Sequence, residues 1–180
     1  MRINRWQRLK WTIPVILFLT TIIDAALPAI FPAAFLGNGQ VIVSHITLYY
    51  IVTFAFYFRE SNILIYSFIF GLFYDSYNTT VLGVYATLYF IIAYLIIKVK
   101  KYFPKKMPVH AMLFFVGIVI LDALVYVFYN EIGTSMISMT GFLVSRLSPT
   151  LIFNIVMAII LYFPTRSLLN WLGYEDYIIF

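Results

Sequence analysis

The stretch that decides the fold is WTIPVILFLTTIIDAALPAIFPAAF, residues 11–35, close to the amino terminus. It is apolar almost throughout and carries a single charged side chain, Asp24. The hydrocarbon core of a bilayer is ~30 Å thick, so a helix needs ~20 predominantly apolar residues to cross it. The stretch is therefore predicted to cross a membrane as an α-helix.

The remainder of the chain has the same character. The 180 residues are 63% hydrophobic and only 11% charged, which is outside the range of water-soluble domains. Five further apolar stretches, separated by turn-forming or charged residues, are predicted as helices: 44–58, 62–74, 81–97, 109–129 and 148–163. The predicted fold is an all-α bundle of about six transmembrane helices, forming one domain over residues 1–180.

The basic residues predict the topology. With the amino terminus in the cytoplasm, all of the 12 lysines and arginines except Arg146 fall on the cytoplasmic side, as the positive-inside rule requires. Both termini are then cytoplasmic in a multi-pass protein of the cell membrane, in contact with membrane lipid. The net charge of +5 does not point to nucleic acid, because the basic residues lie in short runs beside apolar stretches.

Three aspartates lie inside predicted membrane helices: Asp24, Asp75 and Asp122. Each follows the cytoplasmic start of an odd-numbered helix by about 13 residues, about 20 Å along the axis. A charge at that depth costs ~3 kcal/mol on insertion scales, so each carboxylate needs a partner or a function. One hypothesis is an outward-open, carboxylate-lined cavity that binds a cation or polar ligand or handles protons. The other is packing, with each aspartate bonded to Tyr, Thr or Asn on neighbouring helices.

The first helix also carries small residues at four-residue spacing, Ala25, Ala29 and Ala33. Such a stripe lets another helix come close. It indicates either packing inside the bundle or docking of a partner protein, and the sequence leaves both open.

Recognisable catalytic and metal-binding patterns are absent from the sequence. His45 and His110 lie at the ends of predicted helices without a second ligand at metal-binding spacing, so no metal site is expected. The chain has no cysteine, no Gly-rich phosphate loop and no serine nucleophile elbow. We therefore expect neither catalytic residues nor a cofactor.

The most distinctive motif is Gly71-Leu72-Phe73-Tyr74-Asp75, followed by Leu82-Gly83 at the start of the next aromatic helix. Gly71 allows close helix approach, Asp75 can cap or accept hydrogen bonds at the outer end, and Gly83 relieves crowding after the turn. The arrangement resembles the MreD family of rod shape-determining proteins, in which Gly-Leu-x-x-Asp ends one helix and Leu-Gly opens the next.

The resemblance implies a non-enzymatic component of the cell-elongation machinery in the bacterial cell membrane. Its implied partners are MreC and, through it, MreB, RodA and a class B penicillin-binding transpeptidase, and its implied role is to support rod shape and lateral peptidoglycan synthesis. The predicted bundle also resembles the substrate-binding subunits of energy-coupling-factor vitamin transporters. A vitamin that raises thermal stability would favour this alternative function.

Overall fold

The computed structural model of the chain describes residues 5–37, 39–58, 62–133 and 137–174, except the side chains of Arg5 and Trp6. These residues form helices and connecting turns, without a β-strand, which confirms the all-α prediction. The helices are α1 (Arg5–Ile30), α2 (Pro32–Phe35), α3 (Ile46–Tyr57), α4 (Ile63–Asn78), α5 (Val84–Val99), α6 (Met107–Glu131), α7 (Met139–Phe142) and α8 (Ser148–Trp171). A 3-10 turn (Lys100–Tyr102) follows α5, and a π-helical turn (Leu143–Leu147) joins α7 to α8.

Helix α3 forms the centre of the bundle. All 12 of its residues are buried, and it contacts α1, α4, α5, α6 and α8. A helix that is apolar on every side is stable only when it is surrounded. At 1.5 Å per residue α3 is ~18 Å long, shorter than the hydrocarbon core of a bilayer.

Contacts at one end of the bundle show that α6 runs opposite to α3 and that α8 runs opposite to α1. At one end the Tyr57 hydroxyl of α3 donates to Met107 Sδ of α6 (3.1 Å), and Arg8 of α1 donates to the Trp171 carbonyl of α8 (3.3 Å). We call this the basic end, because it also holds the lysines that connect α5 to α6: Lys98, Lys100, Lys101, Lys105 and Lys106. The opposite end, where α3, α5 and α8 begin, is called the distal end.

Within the described ranges, three helical segments are long and apolar enough to cross a membrane: Gln7–Ile30, Met107–Glu131 and Met139–Trp171. Helices α3, α4 and α5 coincide with the second, third and fourth predicted stretches, and each is shorter than the three segments above. The fold is that of a helical membrane bundle, and the crossing of all six stretches stays a prediction.

The first predicted helix differs from the structure. Residues 11–35 are not one helix, since α1 ends at Ile30 and α2 begins at Pro32. Phe31 between them has φ −120° and ψ 55°, because a proline disfavours helical geometry in the residue before it and offers no N–H for the helix ladder. The predicted topology also used Arg2 and Arg59, which lie outside the described residues.

Candidate functional site

Asp24 of α1 caps the amino terminus of the central helix α3. Its Oδ1 accepts hydrogen bonds from the Ser44 hydroxyl (2.5 Å) and the Ile46 amide (3.0 Å), and its Oδ2 accepts one from the Thr47 amide (2.8 Å). The first amides of a helix have no partner within the helix, and a carboxylate complements their partial positive charge. The N-cap residue of α3 makes no side-chain capping hydrogen bond. Asp24 of α1, which is 2% exposed, provides the cap instead.

The extended segment 41–45 leads into α3 and is held by two side chains of α8. Thr150 Oγ1 accepts from the Val43 amide (3.1 Å), while the Asn154 side chain accepts from the His45 amide (2.9 Å) and donates to the Val43 carbonyl (2.8 Å). Backbone that is buried outside a helix needs hydrogen-bond partners for its N–H and C=O groups. Thr150 and Asn154, one helical turn apart, satisfy that requirement here.

The other end of α3 is capped by a lysine. Lys100 Nζ, in the 3-10 turn after α5, donates to the carbonyls of Ala55 (2.7 Å) and Phe58 (3.0 Å). The last carbonyls of a helix lack intrahelical partners, and a cation there complements the helix dipole. The central helix therefore has a carboxylate at its first turn and an ammonium group at its last.

Asp75 of α4 repeats this capping arrangement at α5. Its Oδ2 accepts from the amides of Gly83 (2.9 Å) and Ala86 (3.1 Å), and its Oδ1 accepts from the Tyr85 amide and the Thr79 hydroxyl (both 3.1 Å). Asp75 is fully buried. The Gly-Leu-x-x-Asp and Leu-Gly motifs thus meet in space, with the aspartate of one bound to the glycine amide of the other.

At Gly71 and Gly83 a larger residue would not fit the backbone of the hairpin, for a different reason at each position. A Cβ on Gly71 would lie 2.8 Å from the Ala86 amide nitrogen and 2.9 Å from the Tyr85 carbonyl oxygen, so α4 and α5 could not approach as they do. Gly83 has φ 99°, in the left-handed region that side chains disfavour. The hairpin depends on glycine at both positions.

Asp122 of α6 is in a different environment. It is fully buried, with Oδ2 3.5 Å from His45 Nε2 and Oδ1 3.5 Å from Arg146 Nη2. Arg146, on the π-helical turn before α8, also donates through Nη2 to the Tyr85 hydroxyl (3.4 Å). Asp122 therefore contacts a guanidinium group and an imidazole ring, whereas Asp24 and Asp75 bind helix amides.

All three aspartates lie in the distal half of the bundle, but only two come together. Asp24 accepts from the Ser44 hydroxyl and the Ile46 amide on either side of His45, while Asp122 contacts the His45 ring. Asp75 instead lies at the start of α5, where its Oδ1 accepts from the Tyr85 amide. The packing hypothesis named Tyr, Thr or Asn side chains as partners, whereas Asp24 and Asp75 bind mostly backbone amides.

The alanine stripe and the two leucines of the hairpin motif lie toward the surface. Ala25 is half-buried, whereas Ala29 and Ala33 are exposed and belong to different helices because of the break at Phe31. Leu72 is 36% exposed and Leu82 68% exposed. These positions are not packed inside the described bundle.

Sequence reasoning missed several residues of this arrangement. His45 and His110 were considered only as possible metal ligands, but both are buried in the bundle, and His110 Nε2 lies 2.9 Å from the Thr53 hydroxyl. The contact of Arg146 with a carboxylate could have been predicted, because a lone basic residue on the distal side needs a counter-charge. The role of Thr150 and Asn154 in binding another segment could also have been predicted, because they are polar residues at four-residue spacing in an apolar stretch.

Comparison with known proteins connects this geometry to a family. The family model for the rod shape-determining protein MreD matches residues 6–172. The rod shape-determining protein MreD of Bacillus subtilis (strain 168) is 24% identical over 157 residues, covering 87% of this chain and 91% of that protein. No solved structure matched the chain. With nearly its whole length matched, the chain belongs to the MreD family of rod shape-determining membrane proteins, whose role is in cell shape.

Proposed function

We propose that this chain is a non-enzymatic membrane scaffold of the cell-elongation machinery, supporting rod shape and lateral peptidoglycan synthesis. One observation carries most of the argument: the charged groups Asp24, Asp75 and Lys100 bind backbone at helix ends inside the bundle. They stabilise the arrangement of the helices. What the bundle offers to other molecules is mainly apolar helix surface, which suits association within the membrane plane.

The proposed topology has six crossings, with both termini in the cytoplasm. The basic end collects the described lysines and arginines except Arg146, which lies at the distal end. Under the positive-inside rule the basic end faces the cytoplasm and the distal end faces outward. The three aspartates then lie in the outer half of the membrane.

The proposed partner is MreC and, through it, MreB, RodA and a class B penicillin-binding transpeptidase. Ala29 and Ala33 support a contact in the membrane, because small exposed residues let a partner helix approach closely. Leu82, 68% exposed at the α4–α5 turn, adds an apolar position at the same distal end. Membrane lipid covers the remaining apolar surface.

Cell shape provides the direct test of this proposal. Cells depleted of the native protein would receive the wild type, a double variant (Ala29→Leu with Ala33→Leu) or the control Ala34→Leu, an exposed alanine off the stripe. Wild type and control should restore rods and lateral wall labelling. The double variant should fold with an unchanged Tm yet leave wide or rounded cells.

Two outcomes would contradict the proposal at different levels. Full rescue by the double variant would remove the alanine stripe from the contact surface. Failure of the wild type to restore rods would contradict the role in elongation itself.

A further inference from the structure

A cluster of buried polar atoms at the distal end has no assigned role in the scaffold. We call His45, Tyr85, Tyr89, Asp122 and Arg146 the distal polar cluster. Among the residues that the structure describes, no hydrogen-bond partner satisfies the two Asp122 oxygens, both His45 ring nitrogens, the Tyr89 hydroxyl or Arg146 Nε, and all of these atoms are buried.

Native proteins rarely leave such atoms unsatisfied. More than nine in ten buried polar groups are bonded to protein or to ordered water, and an unpaired group in a low-dielectric interior is costly. The two contacts of Asp122, at 3.5 Å, are longer than the ~2.7–2.9 Å of a direct charge-assisted hydrogen bond. The protein groups that the structure describes therefore do not complete this site.

The unsatisfied atoms come from four parts of the fold that meet at one place. Asp122 of α6 contacts both the His45 ring before α3 and Arg146 of the π-helical turn. Arg146 also contacts Tyr85 of α5, whose ring centroid lies 5.8 Å from that of Tyr89. Contacts thus link donors and acceptors of Asp122, His45, Arg146 and Tyr85, and the Tyr89 ring packs beside Tyr85; a buried water molecule needs polar partners of this kind.

We propose that the distal polar cluster is a hydrated binding site, in which ordered water bridges Asp122 to His45, Arg146 and the tyrosine hydroxyls. Water would enter beside Arg146, whose side chain is 27% exposed, whereas that of Asp122 is fully buried. A π-helical turn at this position fits, since such turns occur often at functional sites. Asp24 and Asp75 are not part of the site, because helix amides already occupy their oxygens.

Radiolytic footprinting tests the site directly. Pulsed X-rays produce hydroxyl radicals from bound water, so buried side chains next to water become oxidised. In the full-length protein equilibrated in H2(18)O, Tyr89 and His45 should acquire ¹⁸O at several times the rate of Phe54 and Phe56. These two control residues are equally buried but apolar. Equal, low labelling of all four residues would overturn the proposal.

A conservative variant gives an independent reading. If water binds the Tyr89 hydroxyl, Tyr89→Phe should lower Tm by roughly 2–4 °C for a chain of this size. If the hydroxyl is dry, its removal relieves an unpaired buried group and should raise Tm, which would overturn the proposal. Tyr94→Phe, on the same helix but 44% exposed, is the control and should leave Tm unchanged.

Discussion

Asp24 and Lys100 bind opposite ends of one buried helix. The carboxylate accepts from the Ile46 and Thr47 amides at the start of α3, and the ammonium group donates to the Ala55 carbonyl in its last turn. Each charge matches the sign of the helix dipole at its end. The two residues thereby satisfy the terminal backbone groups of a short central helix and tie it to α1 and to the end of α5.

Replacing Asp24 should weaken the start of α3. Asp24→Asn keeps the shape but leaves one side-chain oxygen to accept from three donors, so we expect a loss of about 1.5–3 kcal/mol of unfolding free energy. Thermal unfolding in detergent would measure it. Glu131→Gln, an exposed carboxyl at the end of α6, is the matched control, and an equal effect of both variants would contradict the capping role.

Replacing Lys100 should weaken the other end of the same helix. Lys100→Met retains much of the apolar stem but loses both bonds to α3 carbonyls, so we expect a decrease of about 1–2 kcal/mol. Lys101→Met changes the neighbouring exposed lysine, which lies over the Tyr102 ring, and should have little effect. Unfolding by heat or denaturant distinguishes the two, and indistinguishable variants would show that Lys100 is not a cap.

The closeness of α4 and α5 predicts opposite results for two glycines. Gly71→Ala should destabilise the protein by about 1–3 kcal/mol, because the new methyl group meets the backbone of α5. In Gly117→Ala on α6 the nearest atoms would be side-chain carbons at 3.6 and 3.9 Å, so the change should be neutral or stabilise by up to ~1 kcal/mol. The comparison uses Tm, and a tolerated Gly71→Ala would contradict the described packing.

Two substitutions of Asp75 separate its charge from its shape. Asp75→Asn should still fold, with reduced rescue of rod shape if the ionised carboxylate is the contact that matters. Asp75→Leu should disrupt the hairpin, since four donors, among them three amides of the α5 start, lose their acceptor. Tm and cell shape would be recorded for both, and identical behaviour would remove the charge from the explanation.

The sequence predicts the helices well because their signals are local. Apolar stretches bounded by charges or turn residues locate α3, α4, α5, α6 and the start of α8 to within a few residues, whereas α7 and the longer carboxyl-terminal end of α8 were not predicted. The hairpin motif was also readable, since Gly71, Asp75 and Gly83 lie on adjacent segments. The break at Phe31 was missed, although Pro32 gave a local reason for it.

The partners of the buried charges were not predictable, because they are distant in the sequence. Asp24 binds amides more than 20 positions later, and Asn154 binds backbone more than 100 positions earlier. No periodicity or motif encodes which helix end a carboxylate will reach. Only the packing of α1, α6 and α8 around α3 determines it.

Gentle solubilisation of the tagged protein from its native membrane, followed by quantitative mass spectrometry, tests the central claim most directly. The scaffold proposal predicts MreC in stoichiometric amount, with recovery reduced by the double variant Ala29→Leu with Ala33→Leu and retained by Ala34→Leu. A protein recovered as an uncomplexed monomer, or with a vitamin-like ligand and an ATPase module, would contradict it.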